Sequence, residues 1–468
     1  MRAAVLFALG LGACVSPTSD DGAGSADSGT DSTPLVDDLT VDGLTLGVAA
    51  VKTVVTASWR TAEPVRADVT ATFDGGSVTF SETEPATDHT VSLVGIPALT
   101  VVVVRVTADD TTATAEGRVT TGALPTWVPD LTFVSEAPDA AEGGITITPV
   151  ILPQGGGVLG IDDAGRVVWS WPPQDTGLDL RPYRAFESLD GSGVVYHVSA
   201  DSDSTPAQIV TVKRDGSATT VAEVTGGHTD FAEYTPGAFL SLGWDIRDIE
   251  GRRILGDTVR EVAPDGTERV VWNVWDHFTP DLDQPYPNLY VLDPTVEDWS
   301  HINGIHYDAA SDDIYVTTTF NSGVIRIDRA TGEQIWSLSD TADDSDFRVP
   351  PTGQPLLSLP HSVQVIDGGV LVFNRGVPNA ESCSEAVDVA LDETAFTAEI
   401  VWAHASEDCL LVPFLGSAER LAGGNTLIAW TSNGRLDEVT PEGDIAWQVS
   451  TALGAAFGFS TRTDSLND

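Results

Sequence analysis

A chain of 468 residues with 44 glycines, 27 prolines and 12 tryptophans is ample for one large core and a smaller module. Its formal net charge of -47, with Lys52 and Lys213 the only lysines, argues against nucleic acid as a partner, because a phosphate backbone is bound by clustered Lys and Arg. The same field disfavours a small anion unless a local pocket of Arg, His or backbone N–H groups receives it, so the bulk of the acidity reads as solvated surface.

The chain opens MRAAVLFALGLGAC, an arginine followed by an apolar run too short to span a bilayer but suited to a secretory signal over residues 1–13. Leu11-Gly12-Ala13-Cys14 resembles a bacterial lipobox, which implies a diacylated Cys14; a plain signal peptide is the alternative. Residues 14–34 are Ser, Thr, Asp and Gly with almost nothing apolar and read as a flexible linker. The body is therefore expected to be soluble, exported and held at the cell envelope, in the periplasm or on the surface, through its N-terminal lipid. In that setting the two remaining cysteines, Cys383 and Cys409, are expected to form a disulfide.

Residues 35–123 break into short alternating runs separated by Asp-Gly, Pro and Asp-Asp, the pattern of a small antiparallel β-sandwich. Trp59 and the Leu-Val-Gly-Ile turn resemble a fibronectin type III module. His89 is expected at a strand edge, on the surface.

From Pro125 onward a repeat carries to the end. Each unit holds a strand, a turn rich in Asp and Gly, and a strand often ending in Trp, as in VLGIDDAGRVVWSW and VIRIDRATGEQIWSL. Gly165, Gly216, Gly266, Gly332 and Gly443 mark these turns at intervals of roughly 50 residues, and one unit lacks its glycine. An all-β fold follows: a six-bladed β-propeller over 126–468, preceded by the immunoglobulin- or fibronectin-like sandwich. The segment Leu131 to Val134 is a candidate for completing the last blade. Trp169, Trp272, Trp336, Trp402 and Trp447 recur at one place and read as packing residues.

His228, His301 and His361 occupy one place in three consecutive units, each ahead of a first strand, and are expected to converge near the axis. The equivalent places elsewhere fall at the Arg184 region and at Ser417 to Glu419, so the repeat itself does not require histidine. Three imidazoles suit a zinc site with an open position, or a nucleophile flanked by charge-stabilising donors. His197, His277, His306 and His404 fall out of that register and read as packing or surface residues.

The order GHTDF, then HIN before a strand and IDRATGEQIW, then a histidine before a strand ending Phe-Asn-Arg-Gly, then GNTLIAWTSNGRLDEVTPEGDIAWQV, resembles the bacterial arylsulfotransferase family. The resemblance implies a six-bladed propeller, independent of a nucleotide sulfate donor, that moves a sulfuryl group from an aryl sulfate to a phenolic acceptor through a sulfohistidine. It implies no cofactor and no metal. His361 matches the nucleophile, and His228, His301 and Asn303 match residues that bind and polarise the sulfuryl group. The family's Ser-Ser-Arg is here Thr317-Thr318-Thr319-Phe320, and Asn374 and Arg375 at the end of the next strand are the candidates to replace its lost anion donor. A monomer or homodimer is expected. The rival expectation is an inactive surface propeller that binds a ligand or partner at its channel mouth.

Overall fold

The computed structural model describes residues 41–109, 113–152, 155–172, 182–200, 202–283, 285–287, 293–339, 344–349, 355–376, 382–452 and 455–467. The signal segment, Cys14 and the linker lie outside the described residues. The chain is all-β, with 59% strand and 3% helix.

Val41–Val48, Val55–Val65 and Ala86–Leu93 form a three-stranded sheet, and Gly76–Ser81, Ala67–Phe73, Val101–Ala108 and Thr114–Thr120 a four-stranded one. Both contribute to one core, with Val55, Ala57 and Trp59 from the first and Val69, Val102, Val104 and Val106 from the second. The expectation for His89 is overturned. It shares the strand phase of Val91 and Leu93, which turns it inward. There it stacks on Trp59 at 4.8 Å and bonds to Glu82 at 2.8 Å and Thr61 at 3.0 Å.

Six four- or five-stranded sheets, antiparallel except for the added strand Val296–Asp298, follow one another in the rest of the described chain. Five of them begin, at the inner edge, with Pro182–Glu187 (β1), Gly227–Thr235 (β2), Ile302–Asp308 (β3), Pro360–Ile366 (β4) and Ser417–Arg420 (β5). The sixth inner edge is supplied by Ala456–Phe457 and Thr461–Thr463 (β6), which pair with Ile145–Leu152 near the start of the repeat region. Strands next to the inner edge, such as Gly193–Val198, Asp313–Thr318 and Thr426–Trp430, are buried throughout, as strands covered on both faces must be. Leu131–Val134 pairs antiparallel with Ile445–Thr451 as the outermost strand of the last sheet.

The five turn glycines all have positive φ, from 73° at Gly165 to 99° at Gly443. The unit without one uses Phe396 at φ 51° instead. Trp169, Trp272, Trp336 and Trp447 are buried, whereas Trp402 is partly exposed beneath the guanidinium of Arg420.

Side chains link several of these inner strands. Arg184 of β1 bonds Asp230 of β2 at 3.2 Å, and Asp230 accepts the N–H of Ile305 in β3 at 2.9 Å. Ser362 and Gln364 of β4 accept N–H groups of Ala418 and Arg420 in β5. Ser417 and Glu419 accept those of Ser460 and Arg462, and Phe459 donates to the Tyr183 carbonyl beside β1.

The N-terminal sheets are joined to this body by a shared core of Val51, Val54 and Val94 with Ile147, Trp169 and Leu466. Asn467 also brackets the Val94 backbone, accepting from its N–H at 2.6 Å and donating to its carbonyl at 2.9 Å.

Candidate functional site

The first residues of β1 to β4 each contain a register shift: between Pro182 and Ala185, His228 and Phe231, Ile302 and Gly304, and Pro360 and Val363. Such bulges unpair a residue and re-aim its side chain. Within them fall Arg184, Asp230, Asn303, His361 and Ser362. Left-handed backbone accompanies them at Thr229, His301 and Leu359, with φ of 51°, 43° and 49°. Non-glycine residues held this way cost about 1–3 kcal/mol each and persist where the surroundings over-determine them.

His361 is buried, meets Phe459 edge-on at 5.2 Å, and has no hydrogen-bond partner at Nδ1. Burial, reinforced by the positive charge of Arg375 and by His301, holds its pKa well below the usual imidazole value. It is therefore a neutral base at neutral pH. Burial would also depress His301, but Asp298, whose Oδ2 lies 2.6 Å from its Nδ1, outweighs that and raises it. The neighbouring imidazoles are thus driven apart, one toward the free base and the other toward the cation.

His228 stacks on Trp244 at 4.9 Å, and its Nε2 lies 3.0 Å from Asp257 Oδ1, in ion-pair range but out of line for a hydrogen bond. The other oxygen of Asp257 accepts from Ser300 at 2.5 Å and from the backbone N–H of Ile302 at 2.9 Å. Asp257 thereby ties His228 to the segment carrying His301. Asn303 is buried, donating to Thr319 at 3.2 Å and accepting from Thr317 at 2.9 Å; the Thr317 hydroxyl is also 3.2 Å from the His361 carbonyl. The threonines that stand in place of Ser-Ser-Arg therefore hold the site together without supplying charge.

Arg375 supplies the charge. Among the described residues no carboxylate pairs with it. One NH1 bond reaches the Pro413 carbonyl at 3.0 Å, and its Nε is buried without a partner. Burial lowers its pKa, the mark of a cation held in a poorly solvated place. Asn374, by contrast, braces the segment that leads to His361. Its amide accepts from Ser358 N–H at 3.1 Å and donates to the Leu356 carbonyl at 3.3 Å. Cys383 and Cys409 are bonded as a disulfide. Among the described residues, no three His, Cys, Asp or Glu side chains are grouped to hold a metal.

Sequence reasoning missed Asp257, Asp298 and Gly304. Asp257 did leave a signal, a carboxylate inside the apolar run Ile254-Leu255-Gly256-Asp257-Thr258-Val259. His306, read as packing or surface, instead lines a cavity enclosed by the inner strands with Arg184, Ser362 and Glu419.

Among curated proteins none matches the chain. Among solved structures, a streptogramin B lyase is similar at 12% identity and TM-score 0.40, covering 73% of this chain and 100% of that one. The β-propeller domain of Cps50 (Swd1) from Myceliophteria thermophila is similar at 13% identity and TM-score 0.35, covering 66% and 89%. A protein of unknown function from Bacteroides caccae is similar at 14% identity and TM-score 0.39, covering 68% and 98%. Residues 131–446 match the arylsulfotransferase (ASST) family, a span that takes in every histidine, asparagine and arginine of the site, and the chain belongs to that family.

Proposed function

We propose that the chain transfers a sulfuryl group from an aryl sulfate to a phenolic acceptor, without a nucleotide donor, through a sulfohistidine at His361. The observation that carries this reading is the pairing of a neutral, unpartnered imidazole at His361 with an arginine, Arg375, that no described carboxylate neutralises. Such a pair suits an anionic electrophile: the arginine receives the sulfuryl oxygens, and the imidazole attacks sulfur in line as the phenolate leaves. His301, held toward its cationic form by Asp298, and the amide of Asn303 add charge stabilisation, and each well-aimed donor contributes roughly 3 kcal/mol to the transition state.

The same proposal takes the six sheets as blades of a closed propeller with the site at one mouth of its channel, and the N-terminal pair of sheets as a fibronectin III-like module. It also takes the chain as exported and anchored through a lipidated Cys14, with the disulfide supporting an oxidising compartment. Its test is incubation of the protein with 4-nitrophenyl sulfate and a phenol, beside His361→Ala. Acceptor-dependent nitrophenol release that disappears in the variant supports the reading. A wild type as inert as the variant across several aryl sulfates sinks it.

A further inference from the structure

Inside the ring of inner strands lies a cavity of about 80 Å³, lined among others by Arg184, His306, Ser362, Gln364, Glu419 and Phe459. It begins one residue beyond the nucleophile: Ser362 follows His361, and Phe459 is the ring against which His361 packs. A space of this size with several polar walls has room for water.

Transfer through a sulfohistidine leaves a proton to be placed. An acceptor phenol must lose its O–H proton as its oxygen attacks sulfur, and the side chains assigned to the sulfuryl group are poorly placed to take it. His361 carries the sulfuryl group at that stage, His301 is already held toward its protonated form by Asp298, and His228 lies against Asp257. Asn303 and Arg375 do not accept protons.

We propose that Glu419 is that base, reached from the acceptor hydroxyl through water in this cavity; the inference rests on the sulfuryl-transfer reading. Its Oε2 accepts the backbone N–H of Arg462 at 2.9 Å, which fixes the carboxyl at the cavity wall. In the second half-reaction the S–N bond to His361 breaks, the S–O bond to the acceptor forms, and the phenol proton passes to the Glu419 carboxylate. In the next first half-reaction the Glu419 carboxylic acid returns that proton to the leaving phenolate, so no further co-reactant is needed. Burial pushes Glu419 up to about 7, against the lowering effects of the Arg462 N–H and of the Arg184 and Arg462 charges. The remaining groups do not compete: His306 is pushed down to about 4 by burial and by Arg184, and Arg184 is paired with Asp230. A carboxyl that titrates near neutrality is matched to both directions of transfer.

The experiment measures the pre-steady-state burst of nitrophenol and, separately, steady-state transfer to phenols of graded acidity across pH, in wild type, Glu419→Gln and Glu419→Asp. The inference expects Glu419→Gln to lower transfer by about a hundredfold or more. The loss should be steepest for the least acidic phenols, the limb of the pH profile near neutrality should vanish, and Glu419→Asp should restore much of both. The thermal unfolding curve reports whether each variant is folded, and the burst, whose nitrophenolate leaves without needing a proton, reports whether His361 still reacts. A Glu419→Gln enzyme that bursts and keeps the wild-type pH limb overturns the assignment of Glu419. A wild type that releases no nitrophenol from aryl sulfates, with or without acceptor, overturns the sulfuryl-transfer reading beneath it.

Discussion

A Cβ placed on Gly304 would lie 2.8 Å from the carbonyl oxygen of His361 and 2.6 Å from the Thr317 hydroxyl. The backbone of Gly304 does not need positive φ; the position needs an absent side chain so that β3 and β4 can approach where the nucleophile is held.

Gly304→Ala is therefore expected to push β4 outward at His361. Overpacking of this kind costs about 1–3 kcal/mol. Thermal unfolding should show that loss, and nitrophenol release should fall by more than the stability change explains. Unchanged release would mean that the approach of the two strands does not position His361.

Arg375→Gln should do the opposite to stability and to activity. It removes a half-buried cation that no described carboxylate pairs with, so unfolding should shift to higher temperature. It also removes a charged donor to the anion, a loss of about 1.5–3 kcal/mol, and the KM for aryl sulfate should rise by the corresponding factor. Arg375→Lys should recover only part, since a point charge does not reproduce the guanidinium fork. Equal KM values in the three proteins would remove Arg375 from the site.

His197 is wholly buried, both ring nitrogens lack partners, and burial together with nearby His228 lowers its pKa to about 3. Its folded pKa lies below the unfolded value of 6.5, so its neutral form is favoured in the fold. That contribution is complete above pH 6.5 and is lost as pH falls toward 3, because the unfolded chain takes up the proton first. His197→Phe, which keeps a ring against Phe231, should raise stability and flatten its pH dependence between those limits. Unfolding followed by denaturant titration at several pH values checks this, and an unaltered slope would refute it.

With 70 acidic against 23 basic residues, the folded chain repels itself. Raising ionic strength from 0.01 to 1 M shortens the screening length from about 30 to about 3 Å. The unfolding temperature should climb over that range, and more steeply with sodium chloride than with an isosmotic neutral solute. A flat response would mean that local ion pairs already balance the field.

The Cys383–Cys409 bond closes a loop with a sequence separation of 26. Replacing both cysteines with serine should lower stability by about 3 kcal/mol, mostly through a freer unfolded chain. Denaturant midpoints of oxidised protein, reduced protein and the double variant would check it, with the last two expected to coincide.

The fold was legible where a repeat imposes period and position. Turn glycines, buried second strands and the pairing of Leu131–Val134 with the last sheet all follow from patterns within a unit or from the need to complete one. His89 was misplaced because its polarity was weighed above the strand phase that it shares with Val91 and Leu93. At the site, the histidines were singled out because they break an otherwise regular repeat. Asp257 and Gly304 were not, because their importance lies in what an adjacent sheet brings to them: His228 and Ile302 for the one, His361 for the other. The bulges that aim Asn303 and His361 have no signature in a single strand, since a bulge is a property of a pair.

The two ends of the repeat region pair into different sheets, Leu131–Val134 beside Ile445–Thr451 in the last and Thr461–Thr463 beside Ile145–Leu152 in the first. A chain emerging from a ribosome or threading through a pore can build the middle sheets as it appears, yet it holds the first one unfinished until Thr461–Thr463 has followed. Phe459, which lies against His361, arrives with that last segment. A product ending before Ala456 would therefore carry every histidine of the site while the first sheet lacked Ala456–Phe457 and Thr461–Thr463 and His361 lacked the Phe459 ring.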